Sequence, residues 1–522
     1  MTAAALDHPD AEATSPTRAE GRRRASTNRP GATTRQPLAW RPVLLVVAVK
    51  VVVDAAVSGR YGWHRDELYY ADAGRHLAAG YVDLPPVTAW VAAGARVLFA
   101  DSLVGLRSTA SLAGAGVIGV TAALCRDLGG ARRAQVVAAV AITPLVVGAN
   151  AMFQTVSFDQ LAWALVLWAS VRLLQDPNGR RWVVLAAAAA LAWQTKFTVA
   201  ILFGGLGLGL ITARSGRAAW RGRAVTAGVA LFAVAAAPNL WWEARHGWAS
   251  VAFVTGRSGE VRDEYPPIKF VLELLLITGV PSLPLAIVGV RWLWRQPVLR
   301  ALAVAVAFVP PACLALGGKG YYAAPIAVAA FAAGAVAVEQ AAGRWAGYGR
   351  SLPWILVVTA GLCSPLILPV LPRGEAISLG VVDVRDDYAA ELGWPQVAAD
   401  VARAWHAVPV GQRADTVVVA GNYGVAGAIG RFGPTRGVDA PIVSGHVSWA
   451  TWPVPAEARG DRLALAVGVG PGPAPTWCGD ARPVGHITGV AGVDTEERGW
   501  PIWSCHLDRP IEELRPTLRR RG

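Results

Sequence analysis

The chain has 522 residues, 54% hydrophobic and 16% charged, with a mean hydropathy of +0.38, which excludes an ordinary soluble protein. A formal net charge of +13 would suit a nucleic-acid binder. The arginines, however, lie in short loops between apolar runs, where positive charge sets membrane topology, so nucleic acid is not an expected partner.

Residues 1–37 are rich in Ala, Thr, Pro and Arg, include Arg22-Arg23-Arg24, and show no apolar period; they read as a disordered basic cytoplasmic tail. The apolar run that follows lacks a small-residue cleavage site and reads as an uncleaved first span. About eleven spans are expected, near 38–57, 104–124, 134–151, 158–175, 182–195, 197–213, 223–242, 268–291, 298–316, 321–340 and 352–371. Ala, Val, Leu and Gly fill them, which suits close helix packing in lipid. Basic loops follow every even-numbered span, among them Arg132-Arg133, Arg180-Arg181 and the loop holding Arg214, Arg217 and Arg221. All therefore share one side, the cytoplasmic one, with the N-terminus.

A multi-pass plasma-membrane protein follows, α-helical from 38 to 372, with residues 58–103 as an outer loop. Residues 373–522 then form a small extracytoplasmic α/β domain. In it, Val397, Val401, Trp405 and Val408 repeat at helical spacing, and strands are expected at 415–420, 442–447 and 463–469. Cys478 and Cys505 both fall in this domain, where an oxidising compartment would allow them to bond. No zinc-ligand spacing occurs.

The first outer loop carries His64-Arg65-Asp66-Glu67-Leu68-Tyr69-Tyr70. Charge is costly beside hydrocarbon, so such a cluster points to substrate handling. Neighbouring residues on a helix point about 100° apart, so Asp66 and Glu67 cannot both face one atom. One is expected to act as base or ligand while the other orients a neighbour. Lost hydration would raise such a carboxyl and make it a better proton acceptor. The bland alternative is a solvated loop with Asp66 paired to Arg65. Asp83-Leu84-Pro85-Pro86 ends any helix and fixes an extended turn.

Lys196, between two apolar runs, calls for an anionic partner, or else snorkels to the interface. Gly317-Gly318-Lys319-Gly320-Tyr321-Tyr322 offers free N–H groups, an ammonium and phenols: a phosphate seat, or an aromatic belt with a flexible turn. Asp159 opens the fourth span, where N-capping would explain it. The glycines of 421–430 lack the spacing of a nucleotide loop. An extracytoplasmic transferase needs a donor already in the membrane, and a polyprenyl-phosphate sugar meets that need.

His-Arg-Asp-Glu-Leu-Tyr-Tyr at 64–70 with Gly80-Tyr81-Val82-Asp83-Leu84-Pro85-Pro86 resembles bacterial glycosyltransferase family 39. That family belongs to the membrane GT-C superfamily, with protein O-mannosyltransferases and aminoarabinose transferases. Phe158-Asp159, Thr195-Lys196-Phe197-Thr198, Pro238-Asn239-Leu240-Trp241, Lys319-Gly320-Tyr321-Tyr322, Asn422-Tyr423-Gly424 and Ser444-Gly445-His446 with Trp449 and Trp452 extend the similarity over about 40–460.

The resemblance implies a GT-C fold and an inverting hexosyl- or pentosyltransferase. It would move a sugar from a polyprenyl-phosphate donor to an extracytoplasmic hydroxyl on a glycan, lipid or protein. It assigns Asp66 as the catalytic acidic residue, Glu67 as its companion, and Lys319, Tyr321 and Tyr322 to the donor phosphate. His64, Arg65, Tyr69, Asp159 and Lys196 complete the expected substrate site. An acid pair can also hold a divalent cation, so Asp66 and Glu67 are the candidate metal ligands; no other cofactor is expected. Where some relatives have a Lys before the Pro pair, this chain has Leu84. The alternative from another class is a transporter or flippase of a lipid-linked anion, for which paired repeats and broken mid-membrane helices would be expected.

Overall fold

The computed structural model describes residues 36–213, 222–460 and 463–518, with the side chains of 257–264 left aside. The expected tail lies outside the described residues except for Gln36 and Pro37, as do Arg214, Arg217 and Arg221.

The protein is a multi-span helical membrane protein with a C-terminal mixed β-sheet domain. Every expected span corresponds to helix. Among the described residues, five helices are long and apolar enough to cross a membrane on their own, and six if one bent pair counts as a single span. That pair corrects the expected eighth span. Pro267–Thr278 and Val280–Arg295 meet at an angle of 84° rather than forming one rod. Gly279 sits at φ 80° and Pro281 follows, so helical dihedrals are abandoned and a donor is missing at the junction. The first span, Trp40–Val57, carries a buried ion pair, Lys50 to Asp54 at 2.6 Å, closed by Ser111 from Leu103–Asp127.

Small residues let the helices meet backbone to backbone. A Cβ on Gly289 would lie 2.0 Å from the Ala330 carbonyl oxygen, and one on Gly334 2.2 Å from that of Leu285. Leu283–Arg295 and Ala327–Gln340 therefore pack along a glycine seam. Large apolar side chains such as Leu45, Val52, Trp354, Val357 and Leu362 stay exposed on outward faces, as lipid contact requires.

The outer loop is not irregular. It holds two helices, Arg65–Ala73 and Val87–Phe99. The C-terminal sheet has the order β2-β1-β3-β5-β4, with β1 Thr416–Ala420, β2 Ile442–Ser444, β3 Leu463–Val467, β4 Cys478–His486 and β5 Pro501–Leu507. β1 pairs in parallel with β2 and β3, and β5 runs antiparallel to β3 and β4. The expected strands appear in shortened form. β4 and β5 were not anticipated: β4 is an edge strand with most side chains exposed, so no apolar alternation marks it. Cys478 and Cys505 are bonded across this edge pair, as expected.

The helix Tyr423–Phe432 links β1 to β2, and Asn422 caps it by accepting the Val425 N–H at 2.9 Å. Its glycines serve packing rather than nucleotide: a Cβ on Gly424 would meet Arg65 Cγ at 2.6 Å, and one on Gly427 would meet Leu68 Cβ at 2.8 Å. The carboxyl ends of β1 and β2, where open α/β sheets place their functional loops, thus rest on the first outer loop.

The disulfide closes a 27-residue separation. Replacing both cysteines with serine should cost the outer domain about 2–4 kcal/mol. Comparing thermal unfolding of this variant with the parent, with and without reductant, checks it; equal midpoints would refute it.

Candidate active site

His64 caps the helix Arg65–Ala73, its Nδ1 accepting the Asp66 N–H at 3.1 Å while Glu67 accepts the His64 N–H at 2.8 Å. Glu67 is wholly buried. It accepts from Arg107 Nε at 2.7 Å and Nη2 at 2.8 Å, and from the Phe153 N–H at 2.8 Å. Arg107 also donates to the carbonyls of Ser58 and Gly62, each at 2.7 Å, and lies 3.6 Å from Glu391. Both Glu67 oxygens are thus occupied by donors, and the carboxylate anchors the loop to the span beneath it.

Asp66 points the other way. Its Oδ1 accepts from the Tyr423 hydroxyl at 2.7 Å, and Oδ2 lies 3.9 Å from His64 Nδ1. Burial alone would raise its carboxyl. The charges of His64 and Arg65, the Tyr423 hydrogen bond and the charge of Lys319 outweigh it and hold the group below its ordinary value. The expected upward shift is therefore corrected for Asp66, and it falls on Asp83 instead. Burial pushes Asp83 up to about 7; the Tyr69 hydroxyl, donating at 2.5 Å, opposes this and the Asp66 charge adds to it. The outer domain holds this turn too, since the Val82 N–H donates to Ser448 Oγ at 2.9 Å. Tyr423 also stacks on His446, with centroids 5.0 Å apart.

The opposite wall comes from the span-to-span turns. Lys196 Nζ stands 5.0 Å from the Tyr321 ring centre and 4.4 Å from that of Tyr322. Its charge acts on Asp159, with no ion pair between the two. Asp159 does not cap a helix: Gln154 holds that position in Thr155–Gln175, and Asp159 lies a turn inside, accepting from Thr198 Oγ1 at 3.4 Å. Lys319 precedes the short helix Gly320–Ala323, 6.0 Å from the Tyr265 ring centre. Its charge acts on Asp66, and Tyr70 acts on Tyr321, so the two groups are within electrostatic range of each other.

Asp66 thus lies within range of the Lys319 charge, and Lys196 stands over Tyr321 and Tyr322, so these residues form the candidate site together with Tyr69. His64 serves as a cap, and Arg65 turns outward to Glu496 at 2.7 Å. Asp66 and Glu67 do not converge on a common point, and among the described residues no three His, Cys, Asp or Glu gather as metal ligands. Sequence reasoning missed Arg107, Asp83, Tyr265 and Glu273 as parts of the site. One signal was available: Lys50, Lys196, Lys269 and Lys319 are the chain's only lysines, and the last three gather around Tyr265, Tyr321 and Tyr322. The motif Pro238-Asn239-Leu240-Trp241 has a supporting part, with Asn239 donating to the Ala79 carbonyl at 3.0 Å.

The resemblance read from the sequence holds. A model of the family described as dolichyl-phosphate-mannose-protein mannosyltransferase matches residues 83–242. The fold is that of ArnT from Cupriavidus metallidurans. The crystal structure of ArnT bound to undecaprenyl phosphate aligns with TM-score 0.57 and 17% identity, over 88% of this chain and 97% of that one. Its apo structure aligns with TM-score 0.56 and 18% identity over the same shares. No curated protein matches in sequence.

Two measurements test these placements. Glu67→Gln leaves Arg107 short of its bonded carboxylate and should destabilise the protein by about 3–5 kcal/mol, less whatever Glu391 recovers; an unchanged thermal midpoint would contradict the anchoring role. Asp83, raised in the folded state, adds stability below the ordinary carboxylate range and loses it as pH rises through about 7. Asp72 and Glu391 are also pushed up to about 7, and both remain in Asp83→Asn. That variant should therefore lose less stability than the parent between about pH 4 and 7; parallel profiles would show that Asp83 does not titrate there.

Proposed function

We propose that the chain is an inverting GT-C glycosyltransferase that moves a hexose or pentose from a polyprenyl-phosphate donor to an acceptor hydroxyl on the extracytoplasmic face of the plasma membrane. In this reading residues 38–372 form the catalytic membrane domain and 373–522 the outer domain that covers the site. Basic loops after even-numbered spans and a disulfide in the C-terminal domain support that orientation. The similarity to ArnT, solved with undecaprenyl phosphate, supports a lipid-phosphate donor.

The observation that carries the reading is the Asp66 carboxylate, bonded by the Tyr423 hydroxyl at 2.7 Å and held below its ordinary value by the charges around it, that of Lys319 among them. The acceptor hydroxyl gives its proton to Asp66 as its oxygen attacks the anomeric carbon. The bond from that carbon to the phosphate oxygen breaks, and the electron pair leaves with the polyprenyl phosphate. Lys319, Tyr321 and Lys196 stabilise the growing negative charge, because ammonium and phenol donors in a partly dry site act strongly on it. A single in-line displacement inverts the anomeric centre. Glu67 and Arg107 hold the base in place without touching substrate, Asp159 steadies Lys196, and Asp83 with Tyr69 forms the acceptor side.

The transporter alternative gains the broken helix. That helix, however, packs against the Lys319 turn, and the Lys50–Asp54 pair is closed by Ser111. Neither opens a path.

Purified protein incubated with a panel of labelled polyprenyl-phosphate pentoses and hexoses, with and without chelator, should transfer sugar with inversion. Asp66→Asn should lower the rate by about 10²–10⁴-fold with the thermal midpoint kept. Wild-type rates in that variant would remove Asp66 as the base.

A further inference from the structure

The bend at Gly279 turns the helix Pro267–Thr278 away from the helix after it and lays it against the start of Gly320–Gln340. There Glu273 Oε2 accepts the Gly320 N–H at 2.7 Å and also the Tyr265 hydroxyl, which itself lies 3.4 Å from Gly320 N. The approach leaves no space for a side chain: a Cβ on Gly320 would lie 2.5 Å from the Phe270 carbonyl oxygen and 2.9 Å from Leu274 N. Lys319, next to this contact, stands over the Tyr265 ring, and its charge acts on Glu273. Lys269, one turn before Glu273, faces the same ring at 5.2 Å.

We propose that Glu273 is the positioning residue of the donor-phosphate site: by holding the Gly320 N–H and the Tyr265 hydroxyl it fixes the turn that aims Lys319. A lysine has a compact charge on a flexible four-carbon stem, so its direction must come from its backbone and its neighbours. A carboxylate that takes the next residue's N–H supplies the backbone half, and Tyr265, bonded to the same carboxylate, supplies a wall for the stem. Glu273 touches no substrate; it acts through Lys319. The assignment rests on the reading that Lys319 binds the donor phosphate.

Binding of undecaprenyl phosphate to the purified full chain in nanodiscs tests it. Glu273→Ala should weaken binding about tenfold, the loss of one hydrogen bond to a charged group. Glu273→Gln should bind within about twofold of the parent, because its amide oxygen can still accept the Gly320 N–H. Lys319→Ala should weaken binding at least as much as Glu273→Ala. The double variant Glu273→Ala/Lys319→Ala should bind no worse than Lys319→Ala alone, since a residue acting only through another adds nothing once that one is gone. A merely structural role would instead give losses that multiply, and would not be rescued by glutamine. If Lys319→Ala weakens binding while Glu273→Ala does not, or if the two losses multiply, the positioning role falls. If Lys319→Ala binds as the parent does, the donor-site reading falls and this assignment with it.

Discussion

The site depends first on the buried pair between Glu67 and Arg107. Arg107 rises from the second span, and its guanidinium gathers the Glu67 carboxylate and the carbonyls of Ser58 and Gly62. Glu67 in turn takes the N–H groups of His64 and Phe153. Three chain segments, the end of the first span, the outer loop and the short link before Thr155–Gln175, are thereby tied to one point. A buried ion pair yields little net stability against an apolar replacement, but a broken one is costly. Its value here is geometric. With Glu67 turned into the protein, the next residue back, Asp66, is rotated about 100° towards the opposite wall.

The outer domain completes what that pair begins. Tyr423, at the carboxyl end of β1, bonds Asp66, and His446, just after β2, stacks on Tyr423. Ser448 accepts the Val82 N–H and so fixes the turn that carries Asp83. Gly424 and Gly427 let the linking helix sit directly on Arg65 and Leu68. The parallel half of the sheet is therefore part of the site's construction, while the antiparallel half, clipped by its disulfide, forms the far edge.

Much of this was legible in the sequence. Apolar period and loop arginines marked the spans, and the cost of charge beside lipid singled out Asp66, Lys196 and Lys319. Lys196, read as needing an anion, lies close enough for its charge to act on Asp159. Three things were not legible, each for a physical reason. The break at Gly279 is hidden because Leu274, Leu275, Leu276 and Ile277 on one side and Leu283, Leu285 and Ile287 on the other read as one apolar run. Arg107 falls inside the expected second span, but nothing local shows which carboxylate it faces. The direction of the Asp66 shift rests first on His64 and Arg65, which stand beside it in the sequence, but also on Tyr423 and Lys319, both hundreds of residues away, and no local reading sums these against burial.

The choice of cation follows the same division of labour. Arginine does the structural work: the fork of Arg107 matches a carboxylate, and loop arginines pair locally, Arg126 with Asp127 at 2.7 Å and Arg181 with Asp176 at 2.9 Å. Lysine is confined to four positions, one closed in the Lys50–Asp54 pair and three around Tyr265, Tyr321 and Tyr322. A phosphate that arrives, changes charge and leaves is better met by compact ammonium groups than by forks locked into one bidentate geometry. Aromatic faces suit such groups, because they attract a cation without neutralising it. A carboxylate placed directly on each lysine would do the reverse, and among the described residues neither Lys319 nor Lys196 forms an ion pair: Glu273 bonds the turn beside Lys319 and Asp159 only feels the Lys196 charge, an arrangement that suits the proposed capture of an anion.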